Sequence, residues 1–350
     1  MLLNRFFAFI ITGWIRTHLP GKMKGFLQLI RWQNLIIVIL TMVMMRYFII
    51  ESLISKVPVI LSGGSGQSVS MVLQFPLIQF VILVLSTVFI TAGGYVINDY
   101  FDIQTDLINR GEVIVGTKVP RRLAMKWHSI FNILGVAGGF YISWRAGYFW
   151  MGILFIIVSG LLYFYSASYK RQFLVGNLIV AFLTAMVPLL VILYEWPALY
   201  QYYSVNASNM PGLSFLFYWI GGFALFAFLT TLAREIIKDI EDFEGDLAYG
   251  RNTIPVVTGV TASKIIATSL ILITIALLYF VWFFYINDKI TLIYLSAAIV
   301  LPLLYVIFQL VISKTRRQLH SASRVMKLMM LAGILYSVVV EIIIKWNLVG

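Results

Sequence analysis

The chain alternates long apolar runs with short polar and basic stretches. Runs near the roughly 20 residues that a helix needs to cross a bilayer occupy Lys24–Phe48, Val72–Ile97, Trp127–Trp144, Phe149–Ser166, Phe173–Tyr194, Phe215–Ile237, Lys264–Tyr285, Ile290–Ile312 and Val325–Lys345. This pattern predicts an all-α polytopic membrane protein of about nine transmembrane helices, the third and fourth divided by little more than Arg145 and Gly147. Ahead of them, Phe6, Phe7, Phe9, Ile10, Ile11, Trp14 and Ile15 alternate with Arg5, Arg16 and Lys22. No small-residue cleavage site follows, so residues 1–23 predict an interfacial amphipathic helix rather than a signal peptide, and residues 24–350 a single transmembrane domain. Ser62–Ser70 predicts a flexible external loop, and Asn206-Ala207-Ser208 matches a glycosylation sequon.

Composition strengthens the membrane reading. Apolar residues make up 61% of the chain and charged residues 11%, and the mean hydropathy is +0.93, far from soluble norms. The absence of cysteine excludes disulfides, thiolate metal ligands and thiol nucleophiles. A net charge of +12 would suggest a nucleic-acid partner if the basic residues clustered on one soluble face; here they sit between apolar runs, and no nucleic acid is expected. Their distribution predicts orientation instead. Most fall in one set of loops, including Arg110, Lys118, Arg121, Arg122, Lys170, Arg171, Arg316 and Arg317, against Arg46, Lys56, Arg145, Lys289 and Lys345 in the other. By the positive-inside rule the first set and the N-terminus are cytoplasmic, and the C-terminus is external.

The acidic residues carry the chemistry. Ten of the fourteen fall in two short stretches, one with Asp99, Asp102, Asp106 and Glu112, the other with Glu235, Asp239, Glu241, Asp242, Glu244 and Asp246. Each has aspartates at i, i+3 and i+7 at the cytoplasmic end of an apolar run. On a continuous helix those three carboxylates would share roughly a 60° arc over about 10 Å of axis. A solvated loop explains one such stretch; two with the same spacing point to function, because acids near lipid are costly unless they face a cavity. Carboxylates on one face repel unless a cation neutralises them, and hard oxygen donors favour Mg²⁺ or Ca²⁺. Two opposed sets fit a bridged diphosphate.

The residues also carry a resemblance. Asn98-Asp99-Tyr100-Phe101-Asp102-Ile103-Gln104-Thr105-Asp106, followed by Asn109-Arg110, resembles the NDxxDxxxD motif of the UbiA family of intramembrane prenyltransferases. Lys238-Asp239-Ile240-Glu241-Asp242-Phe243-Glu244-Gly245-Asp246 is similar to that family's second motif, DxxDxxxD. Asn34, shortly after Arg31 in the first helix, also matches. The resemblance implies a UbiA-type bundle around a central cavity, open laterally to membrane lipid, with Mg²⁺-dependent transfer of a polyprenyl group from its diphosphate to an acceptor. It implies Asp99, Asp102, Asp239 and Asp242 as Mg²⁺ ligands. Asp106 and Asp246 would complete the ligation, and Lys170 would neutralise the leaving oxygens. Asn34, Asn98, Arg110, Lys118 and Lys238 are assigned to substrate binding.

Departures bear on the acceptor. Where many relatives continue NRPxRP, this chain reads Asn109-Arg110-Gly111-Glu112-Val113-Ile114 and lacks both prolines. The Tyr165-Ser166-Ala167-Ser168-Tyr169-Lys170-Arg171 loop is similar to the form in archaeal-type enzymes that prenylate geranylgeranylglyceryl phosphate. That acceptor is the expectation, with Lys118, Arg121, Arg122, Lys170 and Arg171 as the basic groups for its phosphate. The alternatives are a 4-hydroxybenzoate or naphthoate acceptor and, in another class, a transporter, whose acids would lie nearer mid-membrane on broken helices. A CDP-alcohol phosphatidyltransferase is disfavoured by the absence of a contiguous DxxDGxxAR string.

Overall fold

The computed structural model describes residues 21–62, 68–110 and 113–346. Residues 1–20, with most of the expected interfacial helix, lie outside the described residues. A short helix α1 (Gly21–Leu29) leads to α2 (Trp32–Ile54) and a two-stranded hairpin, β1 (Pro58–Ile60) against β2 (Ser68–Ser70). Part of the loop expected at Ser62–Ser70 is therefore strand. There follow α3 (Leu77–Phe101), the short α4 (Ile103–Arg110), α5 (Arg121–Arg145), α6 (Phe149–Ala167) and α7 (Val175–Asn206). The second half repeats the order with α8 (Ser214–Glu241), the short α9 (Phe243–Ala248) and α10 (Ile254–Thr258), then α11 (Val260–Ile286), α12 (Lys289–Ile312) and α13 (Arg316–Lys345).

Among the described residues, eight of these helices are long and apolar enough to cross a membrane: α2, α3, α6, α7, α8, α11, α12 and α13. The expected third span is α5, a 25-residue helix of spanning length whose Arg121, Arg122, Lys126 and His128 leave it less apolar than the others. The segments are apolar all round, so their sides divide between neighbouring helices and lipid. Leu83, Ile142, Ile192 and Ile220 are fully buried, whereas Ile133, Val205, Phe283 and Val311 are exposed along the outside of the bundle. Small residues bring helices close. A Cβ on Gly139 of α5 would lie 2.3 Å from the Phe155 ring of α6.

At the end of the bundle remote from the aspartate motifs, Arg46 is not a loop cation as the sequence suggested. A π-helical stretch of α2, Met44–Ile50, turns it into the bundle, where it is 3% exposed and its Nε donates to Glu195 of α7 at 3.1 Å. Glu195, 1% exposed, also accepts from the backbone N–H groups of Gln74 and Phe75 at 2.8 and 3.0 Å, while Arg46 Nη2 donates to the Phe75 carbonyl. The guanidinium lies 4.4 Å from the Phe80 ring centroid. This pair binds the segment entering α3 to α2 and α7.

Candidate active site

Both aspartate motifs break their helices at the second aspartate. Asp102 ends α3 with φ −92° and ψ 3°, and Asp242 ends α8 with φ −96° and ψ 10°. The Asp102 N–H donates to the Asn98 carbonyl at 3.0 Å and the Asp242 N–H to that of Lys238 at 2.9 Å; the chain then restarts, with Asp106 N–H to Asp102 O at 2.8 Å and Asp246 N–H to Asp242 O at 3.1 Å. The continuous helical face expected from the spacing is therefore replaced by a corner. Aspartate competes poorly for helical backbone and tolerates such junctions. Here the corner lets α4 and α9 pack on one another.

The corners open onto a cavity of about 670 Å³. Its motif-side wall includes Asn98, Asp102, Asp106, Asp239, Asp242 and Asp246; Ile37, Ile90, Leu162, Val187 and Phe223 line it together with Thr184 and Thr231. Arg251 joins the two motifs. Its Nη2 donates to Asp102 at 2.7 Å and to Thr105 at 2.5 Å, and its Nη1 to Asp246 at 3.3 Å. Lys170 Nζ lies 2.7 Å from the same Asp102 oxygen and 3.3 Å from Asn98 Oδ1. Its loop reaches this depth because position 176 is glycine: a Cβ there would sit 2.8 Å from the Lys170 Cα.

Other motif acids have separate partners. Arg31 donates to Asp99 at 2.8 Å and lies over the Tyr95 ring at 5.0 Å. Its backbone is left-handed, with φ 48°, a conformation costly for arginine that the ion pair and ring contact offset. Asn177 donates to Asp239 at 2.7 Å, Arg316 to Asp242 at 3.0 Å, and Glu241 lies 2.9 Å from His320 Nδ1. Burial disfavours charge on Asp102, yet Lys170 and Arg251 outweigh it and hold that carboxyl below the ordinary range. Burial pushes the Lys170 ammonium down from its usual value. It pushes Asp246 up to about 6 against the opposing pull of Arg251.

The donor set suits a hard cation. Among the described residues no three acidic or histidine side chains converge to hold a metal ion by themselves. Carboxylates instead approach one cavity from two helices. Mg²⁺ is commonly held by one or two carboxylates together with water and substrate phosphate oxygens, so this arrangement fits it.

A profile of the UbiA prenyltransferase family matches residues 59–331. The chain belongs to this family. It is an integral, multi-pass membrane enzyme, a prenyltransferase. It is 34% identical over 226 residues to a digeranylgeranylglyceryl phosphate synthase of Methanobrevibacter smithii, covering 64% of this chain and 74% of that one. To the synthase of the same name from Thermococcus kodakarensis it is 36% identical over 185 residues, covering 53% of this chain and 58% of the relative. A solved structure of a digeranylgeranylglyceryl phosphate synthase superposes with a TM-score of 0.59 at 23% identity, covering 91% and 99% of the two chains. A UbiA homologue from Aeropyrum pernix gives 0.56 at 15% identity, covering 85% and 97%. Both share the fold.

Within this UbiA fold the sequence-predicted site residues divide. Asn34, Asn98, Asp102, Asp106, Lys170, Lys238, Asp239, Asp242 and Asp246 all line the cavity, whereas Asp99 stands behind that lining, its carboxylate paired with Arg31. Lys118 lies outside that lining, its ammonium 3.1 Å from Gln28. Arg121 and Arg122 are exposed at the start of α5. Arg110 ends α4, and its side chain lies outside the described residues. Sequence reading missed Arg251, Asn177, Arg234 and Lys327 as site residues. The signals for Arg251 and Arg234 were their positions five residues after Asp246 and next to Glu235; Asn177 and Lys327 lie far from the motifs in sequence, and only the fold brings them there.

Proposed function

We propose that the protein transfers a geranylgeranyl group from its diphosphate to geranylgeranylglyceryl phosphate, with Mg²⁺. The observation that carries this reading is the Arg251 bridge, which joins Asp102 of one motif to Asp246 of the other at the mouth of a cavity that Ile37, Ile90, Leu162, Val187 and Phe223 also line. Asp99, Asp102, Asp239 and Asp242 would hold Mg²⁺, with Asp106 and Asp246 completing its surroundings. When bound, the ion supplies Lewis-acid stabilisation of the departing diphosphate.

The chain's own residues supply the rest. Lys170 and Arg251 present cations beside Asp102, where negative charge on the leaving oxygens must be met; arginine does so by its planar fork and lysine as a point charge. The apolar wall from Ile37, Ile90, Val187 and Phe223 receives the prenyl chain and keeps water from an allylic cation. The prenyl C–O bond breaks with its electron pair on the diphosphate, and the acceptor hydroxyl oxygen forms the new bond and loses its proton. The glyceryl phosphate acceptor is supported by the names of the synthases to which the chain is similar and by the basic side chains around the cavity.

The positive-inside distribution supports a cytoplasmic mouth. Cysteines introduced at Ser68 and Thr315 should be labelled by an impermeant maleimide from opposite sides of the membrane, Thr315 from the cytoplasm; same-side labelling would refute this topology. For the reaction, purified protein with geranylgeranyl diphosphate and Mg²⁺ should convert the glyceryl phosphate to a doubly prenylated lipid, read by mass spectrometry. Turnover of 4-hydroxybenzoate or naphthoate alone would replace the acceptor. Uptake into liposomes without diphosphate consumption would favour a transporter.

A further inference from the structure

The cavity holds polar atoms that the diphosphate chemistry does not use. Thr231 of α8 is 4% exposed, lines the cavity, and its hydroxyl finds no hydrogen-bond partner among the described residues. Helical threonines ordinarily satisfy themselves on the carbonyl one turn back. The other cavity-lining threonines of the spanning helices do so: Thr41, Thr87, Thr91, Thr184 and Thr230 donate to the i−4 carbonyl at 2.7 to 2.9 Å. Thr231 stands apart. Arg234, three residues on and so on the same face, has a buried Nε that is equally without partner. Two orphaned donors thus stand one turn apart on a wall of the cavity, and a buried donor without a partner is costly.

The surrounding charge has a sign. Arg234 and Lys238 both pair with one carboxylate, Glu235, at 3.1 and 2.8 Å. Lys327 of α13 donates at 2.5 Å to Asn34, a neutral amide, and lies within electrostatic reach of Arg234 and Arg31. Arg234 and Lys238 thus share Glu235, and Lys327 adds a cation whose hydrogen bond goes to an amide rather than a carboxylate. An intramembrane cation usually marks a ligand or a partner. The neighbourhood calls for an anion with oxygens that accept several hydrogen bonds and a charge near two. Along α8, Arg234 and Thr231 lie about 7 and 12 Å deeper than Asp239, apart from the Asp102–Arg251–Asp246 corner.

We propose that Thr231, Arg234, Lys327 and Asn34 form a seat for the phosphate monoester of the acceptor lipid, separate from the diphosphate site. This rests on the glyceryl phosphate reading above and names the residues that select it. A phosphate monoester is close to dianionic at neutral pH, matches the surplus charge, and offers oxygens to the Thr231 hydroxyl and the Arg234 Nε–H. An aromatic carboxylate carries one charge and would leave part of the seat unpaired.

Binding of geranylgeranylglyceryl phosphate to the full chain in nanodiscs, measured calorimetrically in EDTA, tests this without turnover. The wild type should bind, because the seat needs no metal. Lys327→Gln should weaken binding at least tenfold, Thr231→Val about threefold, and Lys327→Arg should restore most of the loss. Affinity for geranylgeranylglycerol, which lacks the phosphate, should be the same in all four proteins, and affinity for geranylgeranyl diphosphate with Mg²⁺ should change less than twofold. Absence of wild-type binding, or equal losses for the phosphorylated and unphosphorylated lipids, would overturn the proposal, as would inorganic phosphate binding as tightly as the lipid. If the lipid binds as described while only an aromatic acid is prenylated, the seat stands and the functional reading fails.

Discussion

The two ends of the bundle use buried charge in opposite ways. At the end remote from the motifs, Arg46 and Glu195 form one pair in which the carboxylate accepts two backbone N–H groups and the guanidinium donates to both the carboxylate and a carbonyl. At the motif end, Arg251 is shared between two aspartates, Lys170 competes for one of them, and Thr231 and Arg234 keep unpaired donors. The Arg46–Glu195 pair is saturated by its own chain, whereas the motif end keeps donors that something else can complete.

The largest expected effect comes from removing a motif carboxylate. Asp99→Ala or Asp239→Ala should each lower turnover by roughly a thousandfold or more, with far less than additive loss in the double variant. Size-exclusion profiles in detergent should remain those of the wild type, and EDTA should silence the wild type in the same product assay. Near-normal activity in either single variant would break the contrast between the two ends.

The Arg46–Glu195 pair should respond in stability. Glu195→Ala leaves the Arg46 charge buried and uncompensated, at a cost of about 3–5 kcal/mol in unfolding free energy. Replacing both partners with methionine should recover most of that loss, and activity per folded molecule should persist in each variant. A large fall in activity at unchanged stability would show that the Arg46–Glu195 pair belongs to the reaction.

Arg251→Gln sharpens the comparison from the other side. It removes the link between motifs and should reduce kcat by about ten- to a hundredfold, on the scale of losing one or two charge-assisted hydrogen bonds, with little change in thermal midpoint. The smallest effect should come from packing between α5 and α6. Gly139→Ala forces the Phe155 ring, which also lines the cavity, to move and should cost about 1–3 kcal/mol in a denaturation assay.

Much of this was legible in the sequence, for identifiable reasons. Span positions follow from apolar runs, and the motif spacing placed the metal-ligand candidates around one cavity. The helix breaks at Asp102 and Asp242 were not legible, because the same i, i+3, i+7 spacing suits a continuous helix; the packing of α4 on α9 decides between them. Arg46 was misplaced because a span ending near Phe48 puts it at a loop edge, whereas α2 continues to Ile54. Arg234 adjoins the second acidic stretch and Lys327 follows Arg324 by one turn, but nothing local announces that α2, α8 and α13 converge there.

The paired corners have one more consequence. Because α3 and α8 both stop at the motif, both present their carbonyl termini to the same region, and the aligned peptide dipoles of each helix place roughly half a negative charge there. That field belongs to the backbone, so no side-chain replacement erases it. A variant stripped of one carboxylate would still draw cations toward the mouth, and its residual metal affinity would measure what the main chain alone contributes.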